Sequence, residues 1–257
     1  MTFTEAARPL HLDGSTDLGI LLIHGFTSTP GSVAEWAQGL HAATGATVVA
    51  PLLPGHGTRW EDLNQVTWQD WENTVLAAWD ELARTHQRVA VGGLSLGGAL
   101  AVLVASRRPA TVALILVNHL MWLGNPALFL SPLIKRLTPS MPAVAGDIKK
   151  PSVVEPAYNR VPTGGVDQFR RLLKEVRPLL PSLTTPTLLF KSREDHVIPV
   201  ASTLKTMARL GSSRKDLVWL EHSYHVATMD YDLPLIVEQS ARFLKDLSQE
   251  QRSATPS

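Results

Sequence analysis

Gly92-Gly93-Leu94-Ser95-Leu96-Gly97-Gly98 sets one serine between paired glycines, and the residues on either side decide what the chain builds there. Arg88-Val89-Ala90-Val91 reads as a short buried strand, and residues 97–105 read as a helix too apolar to face water. Strand, sharp turn at serine, then helix is the context a nucleophile elbow requires. The serine takes a strained backbone conformation there, and flanking glycines let strand and helix approach closely. The helix N-terminus also favours negative charge developing beside it. Ser95 is therefore the candidate nucleophile.

Outward from this turn, strand and helix alternate. Residues 18–23 form a continuous apolar run, as expected of a strand covered on both faces in a parallel sheet, and the run ends at His24-Gly25-Phe26. Thr27-Ser28-Thr29 followed by Pro30 predicts a capped helix through about His41, and residues 46–50 predict the next strand. A rigid loop, Pro51 to Gly57, leads to Thr67-Trp68-Gln69-Asp70, which resembles a capping box. The helix it opens carries Trp68, Trp71, Val75, Ala78, Trp79 and Leu82 on one face, a packing stripe rather than a cofactor box. Residues 112–117 predict another buried strand. The alternation points to a doubly wound α/β domain, a mostly parallel sheet flanked by helices.

From His119 to Pro162 the pattern breaks, for 7 of the chain's 18 prolines fall there among Met121, Trp122, Leu128, Phe129 and Leu130. Regular layers do not carry so many prolines, and a linker would be polar, so a small inserted cap is expected over about 119–162. Beyond it the sequence predicts a helix over 166–176, a strand over 187–190, a helix over 199–210, a strand over 217–220 and a final amphipathic helix from Leu233 to Leu247. Residues after about Ser248 are polar and expected to fray. All 257 residues read as one domain without internal repeats.

Composition limits the chemistry. Hydrophobic residues make up 44% and charged residues 18%, and 24 Lys and Arg stand against 23 Asp and Glu. A net charge of +1 without a basic run argues against nucleic acid or an acidic membrane surface as partner. Without cysteine there are no disulfides, thiolate nucleophiles or thiolate metal sites. The first residues lack a targeting signal's apolar core, and no run is long enough to span a membrane, so a cytoplasmic protein is expected. The composition fixes no oligomeric state.

A serine hydroxyl needs a general base within reach and a third group to orient that base. Glu194-Asp195-His196 follows the strand at 187–190, and Ser223-Tyr224-His225 follows the strand at 217–220, both at carboxyl strand ends where open α/β sheets meet ligands. Asp195 is the candidate acid, with Glu194 its rival. His225 is the candidate base among nine histidines, of which His222 and His196 are near neighbours and His56 and His119 are expected to line the site or its floor. The order Ser95, Asp195, His225 is that of the elbow-bearing hydrolases. The backbone amides of Phe26 and Leu96 are the candidate oxyanion donors.

With these pieces in place the chain resembles the α/β-hydrolase carboxylesterases, most closely the compact bacterial monoacylglycerol lipases. The resemblance rests on His24-Gly25-Phe26-Thr27, Pro54-Gly55-His56-Gly57-Thr58, the elbow, Glu194-Asp195-His196-Val197-Ile198-Pro199 and Ser223-Tyr224-His225-Val226-Ala227-Thr228. Gly146-Asp147-Ile148-Lys149-Lys150-Pro151 and Val154-Glu155-Pro156-Ala157-Tyr158 resemble that family's cap. The likeness implies an α/β-hydrolase fold and cleavage of monoacylglycerols, small lipid esters, through an acyl-enzyme. It also implies that Glu155 faces the glycerol hydroxyls. The serine-esterase reading itself calls for no metal or organic cofactor. Trp122 and Leu128-Phe129-Leu130 are bulkier than the family's cap. The other readings are a general carboxylesterase on short to medium acyl esters and a silent ligand-binding module of the same fold.

Overall fold

Every residue of Leu18–Ile23 is buried, and neighbouring side chains go to opposite sides: Leu21 and Ile23 into one apolar cluster, Ile20 and Leu22 into another. A strand that must satisfy two cores has no polar alternation, which is why it reads as an unbroken run. The computed structural model describes residues 3–122, 137–143 and 146–254. Its strands are β1 (Leu10–Leu12), β2 (Leu18–Ile23), β3 (Thr47–Ala50), β4 (Arg88–Leu94), β5 (Thr111–Val117), β6 (Ser140–Pro142), β7 (Arg160–Pro162), β8 (Thr187–Ser192) and β9 (Lys215–Leu220). The helices are α1 (Phe3–Ala6), α2 (Ala34–Thr44), α3 (Trp68–Thr85), α4 (Leu96–Arg107), α5 (Thr163–Val176), α6 (Val200–Arg209) and α7 (Leu233–Ala254).

Seven strands form one sheet in the order β1-β3-β2-β4-β5-β8-β9, parallel except for the β1 edge. On one face Trp36 and Leu40 of α2 join Ile236 and Phe243 of α7 over Ile20, Ala90, Val117 and Phe190. On the other, Trp71 and Val75 of α3, Leu100 of α4 and Leu172 of α5 cover Leu21, Val91 and Leu116. Each enclosed Leu, Ile, Val or Phe side chain contributes about 1.5–3 kcal/mol. α4 is buried from Leu96 through Ala105, as its uniformly apolar sequence requires.

Several local expectations meet the structure unevenly. Thr67 and Asp70 cap α3 reciprocally: the Thr67 amide donates to Asp70 Oδ2 at 2.7 Å and the Asp70 amide to Thr67 Oγ1 at 3.4 Å. Such a cap is worth about 1 kcal/mol. Thr29 stands at the start of a 3₁₀ turn, Pro30–Val33, but its side chain makes no capping bond, and α2 begins only at Ala34. Within the region read as a cap, β6 and β7 pair antiparallel outside the main sheet. Leu128, Phe129 and Leu130 lie outside the described residues. Trp122 is half-buried against the core, with Arg177 and Lys205 over its ring. Among the described residues, no helix is long and apolar enough to cross a membrane.

Candidate active site

β4 delivers Ser95 to the start of α4 with φ 55° and ψ −113°, a conformation L-residues avoid. The turn closes because its neighbours have no side chains: a Cβ on Gly93 would stand 2.2 Å from the Gly97 backbone, and one on Gly97 only 2.0 Å from Ile23 O. The Ser95 amide donates to Val117 O at 3.1 Å, tying the turn to the end of β5. Gly25 lies against it, since a Cβ there would be 3.7 Å from Ser95 Cβ. The residues after β2 and the first turn of α4 thus meet at one serine. Leu96 opens α4, so its N–H belongs to the first turn, where helical amides lack intrahelical acceptors.

Ser95, His225, Phe26 and Glu155 border one cavity of about 170 Å³, whose apolar lining includes Leu120, Val161, Phe169 and Ile198. Larger open grooves, such as one of about 660 Å³ around Leu10, Val49 and Leu82, do not border Ser95. Asp195 is wholly buried behind the imidazole, with His225 Nδ1 3.1 Å from both carboxylate oxygens. The Val197 and Ile198 amides donate to Asp195 Oδ1 at 2.9 and 2.8 Å, and Lys191 Nζ donates to Oδ2. Burial works against the Asp195 charge, yet the hydrogen bond and charge of His225, the Lys191 ammonium and the Ile198 amide outweigh it and hold the carboxyl well below its usual range.

Glu194, the rival acid, is exposed and pairs with Lys149 Nζ at 2.9 Å. His222 is exposed, and His196 is held by Asp147, Nδ1 to Oδ1 at 2.7 Å. His56 and His119 do not border the cavity as the sequence led us to expect. His56 packs behind Phe26 and Trp71, while His119 lies against Gly98 with Nε2 2.8 Å from Thr206 Oγ1. Phe26 turns its ring into this aromatic group, stacking near Phe169.

The loop bearing His225 is fixed by residues to which the sequence alone assigned no such role. Asn118 Nδ2 donates to His225 O at 2.8 Å, and Asp147 Oδ2 accepts the His225 amide at 3.1 Å and the His196 amide at 3.2 Å. Asp230 takes the amides of Lys149, Lys150 and Tyr224, joining the 146–150 segment to the same loop. Tyr158 accepts from the Thr58 amide and donates to Gly55 O, which anchors the Glu155 segment to the Pro54–Thr58 loop. Glu155 itself accepts the Gly146 amide at 3.3 Å. Burial pushes its carboxyl up, against the pull of the Ser28 hydroxyl and His225. Ser28 Oγ is buried near that carboxyl without an aligned hydrogen bond. Among the described residues, no cluster of His, Asp and Glu is arranged to hold a metal ion.

Buried imidazoles make the fold sensitive to acid. Burial lowers His24 to about 4, against the pull of the Gly25 carbonyl, and burial with the Lys191 charge lowers His119 to about 3. The unfolded chain takes up these protons near the ordinary value of 6.5, whereas the folded chain refuses them until far lower pH. Stability is therefore full above that value and lost as pH falls toward the folded values. His24 and His119 together should remove about 3 kcal/mol between pH 6.5 and 5, a range above most carboxylate titration. Exposed His196, raised beside Asp147, opposes this only in part. Urea unfolding across that range measures the loss, and a flat profile would contradict it.

The chain is similar to known proteins along most of its length. Residues 14–232 match the Hydrolase_4 family, described as serine aminopeptidase, S33. A thermostable monoacylglycerol lipase of Bacillus sp. (strain H-257) is 35% identical over 239 residues, covering 93% of this chain and 94% of that protein. A carboxylesterase of Bacillus subtilis (strain 168) is 26% identical over 249 residues, covering 93% and 97%. A solved structure from work on LipS and LipT, two metagenome-derived lipolytic enzymes, superposes with a TM-score of 0.90 at 35% identity over 94% of this chain and 98% of that one. The Paleococcus ferrophilus monoacylglycerol lipase, at 17% identity and a TM-score of 0.76 over 92% and 98%, shares the fold. The chain is thus a serine hydrolase with the α/β-hydrolase fold and belongs to the Hydrolase_4 family.

Proposed function

We propose that this hydrolase cleaves monoacylglycerols to glycerol and a fatty acid, with Ser95 as nucleophile, His225 as general base and acid, and Asp195 as the group that orients His225. With Nδ1 donating to Asp195, Nε2 is the unprotonated nitrogen that takes the serine proton, and Ser95 and His225 border the same cavity. Ser95 Oγ attacks the ester carbonyl as its proton passes to Nε2, and the oxyanion takes the Phe26 and Leu96 amides. The C–O bond to glycerol then breaks, with the imidazolium proton leaving on the glycerol oxygen. Water repeats the sequence on the acyl-enzyme and releases the fatty acid, so no cofactor is needed.

The observation that carries the reading is a cavity in which Ser95 and His225 share their walls with two carboxylates, Asp147, which already accepts the His225 and His196 amides, and Glu155, and an otherwise largely apolar lining. An acyl chain suits the apolar part, and a carboxylate that accepts two hydroxyl hydrogen bonds suits glycerol. Similarity to the Bacillus monoacylglycerol lipase supports the same substrate. The segment around β6 and β7, with Glu155 between them in sequence, acts as a cap over the serine. A general carboxylesterase is the second reading, favoured by similarity to the Bacillus subtilis carboxylesterase.

Glu155→Ala separates the two. It should weaken kcat/KM on monoacylglycerols by about 1.5–3 kcal/mol, the range for hydrogen bonds to a charged group, and barely affect methyl esters of the same acids. The ratio of the two rates is the quantity to measure, because a damaged cap would depress both. An unchanged ratio would leave the general carboxylesterase reading in place.

A further inference from the structure

Lys191 lies in a strand buried along its whole length, and its side chain is fully enclosed. A buried ammonium needs a partner, because an isolated charge removed from water is strongly disfavoured. Lys191 Nζ donates to Asp195 Oδ2 and, at 2.7 Å, to Ile198 O, while both Asp195 oxygens face His225 Nδ1. The lysine thus approaches the carboxylate from within the protein, and the imidazole meets the same oxygen. Four donors surround Asp195, and Lys191 brings a full charge besides His225.

We propose that Lys191 is a positioning residue of the hydrolysis: it fixes the Asp195 carboxylate and offsets part of its charge, so that His225 remains an unprotonated base further into mild acid. The proposal rests on the assignment of Ser95, His225 and Asp195 above. Asp195 alone would stabilise the imidazolium strongly. A cation on the same carboxylate weakens that pull.

The carboxylates facing His225 act in the opposite sense to Lys191. Asp147 comes from the 146–150 segment and accepts the His225 amide, and Glu155 acts through its charge across the cavity. His196, next to Asp195 in the acid loop, is held to Asp147, and Glu194 is paired with Lys149 outside. On the base's own loop Asp230 is engaged by the Tyr224 amide. From the end of β5, His119 faces Lys191 and remains neutral because burial and that ammonium lower it. Lys191 is the buried cation set against these carboxylates.

A neighbouring charge moves a titration by roughly 1–3 units at close contact and less at longer range. Lys191→Met and Lys191→Gln should therefore raise the acidic midpoint of kcat/KM by about half to one pH unit. At one unit below the wild-type midpoint, each variant's activity relative to its own plateau should fall roughly three- to tenfold compared with wild type. The profile is measured on a soluble short-chain ester and again as the rate of fluorophosphonate labelling. A midpoint unchanged or lowered overturns the proposal, whatever happens to the plateau, since a merely structural lysine would alter stability and plateau alone. A measurement on the wild-type protein covers variants that do not fold. Nitrogen-correlated spectra at neutral pH should show a slowly exchanging ammonium at Lys191, and a neutral amine there overturns the proposal. If Ser95→Ala keeps full activity, the site assignment fails and Lys191 falls with it. If Ser95→Ala is inactive and the midpoints coincide, Lys191 alone falls.

Discussion

Ser95→Ala should reduce turnover of any ester substrate by roughly 10⁴ to 10⁶-fold while the protein keeps its fold. The reason is covalent: the hydroxyl oxygen is the atom that would form the acyl-enzyme, and neither His225 nor the oxyanion amides replace it. The strained turn tolerates the change, because φ 55° is imposed by the packing of Gly93 and Gly97 rather than by the hydroxyl. Alanine at that angle keeps the same Cβ contacts and loses one oxygen. Turnover on a chromogenic ester, beside a thermal unfolding curve, measures both halves of the statement. A well-folded variant retaining a tenth of wild-type activity would remove Ser95 from the mechanism.

The second large effect belongs to Asp195. Asp195→Asn should lower turnover by about 10⁴, whereas Glu194→Gln should stay within about threefold, as for an exposed ion pair. The difference follows from the donors around the carboxylate. Oδ1 accepts two backbone amides and Oδ2 accepts Lys191, and His225 Nδ1 reaches both. An asparagine that gives its oxygen to the Val197 and Ile198 amides must point its NH₂ group at an ammonium and an imidazole N–H. Donor faces donor, and His225 is driven to the wrong tautomer or turned away. Both variants are compared on one ester at one pH, and a larger loss for Glu194→Gln would reassign the acid.

What could be read from the sequence follows from how each element is stabilised. β2, β4 and β5 are buried on both faces, so their runs are unbroken and unmistakable. The α3 cap was legible because Thr67 and Asp70 find each other three residues apart. β1 was not, for Leu10-His11-Leu12 is a three-residue antiparallel edge whose pairing with β3 is set by register across the chain. β6 and β7 were equally silent, since each ends in proline, which is confined to strands whose N–H is not needed by a neighbour. Thr29 looked like a helix cap but initiates a 3₁₀ turn, where its hydroxyl finds no amide to accept from.

The candidate site divides in the same way. Ser95, Asp195 and His225 follow strand ends, so their chain order carries information before any coordinates exist. Their supports do not announce themselves. Asn118 holds His225 from 107 residues away, Asp147 from 78, and Asp230 holds Lys149 from 81. Nothing local in sequence distinguishes such carboxylates and amides from ordinary loop residues. Lys191 did leave a trace, a lysine inside the apolar run Leu188-Leu189-Phe190-Lys191. A charge in a buried strand signals a partner, but four residues' separation from Asp195 gives no hint that the chain turns back on it.

Covalent capture of the nucleophile tests the central claim most directly. The protein is treated with a fluorophosphonate, digested, and the modified peptide is located by mass spectrometry. The mechanism requires one phosphonyl group per chain, carried by Ser95, with labelling abolished in Ser95→Ala and strongly slowed in Asp195→Asn. Modification of a different serine, or an unlabelled protein that still hydrolyses its ester, would contradict it.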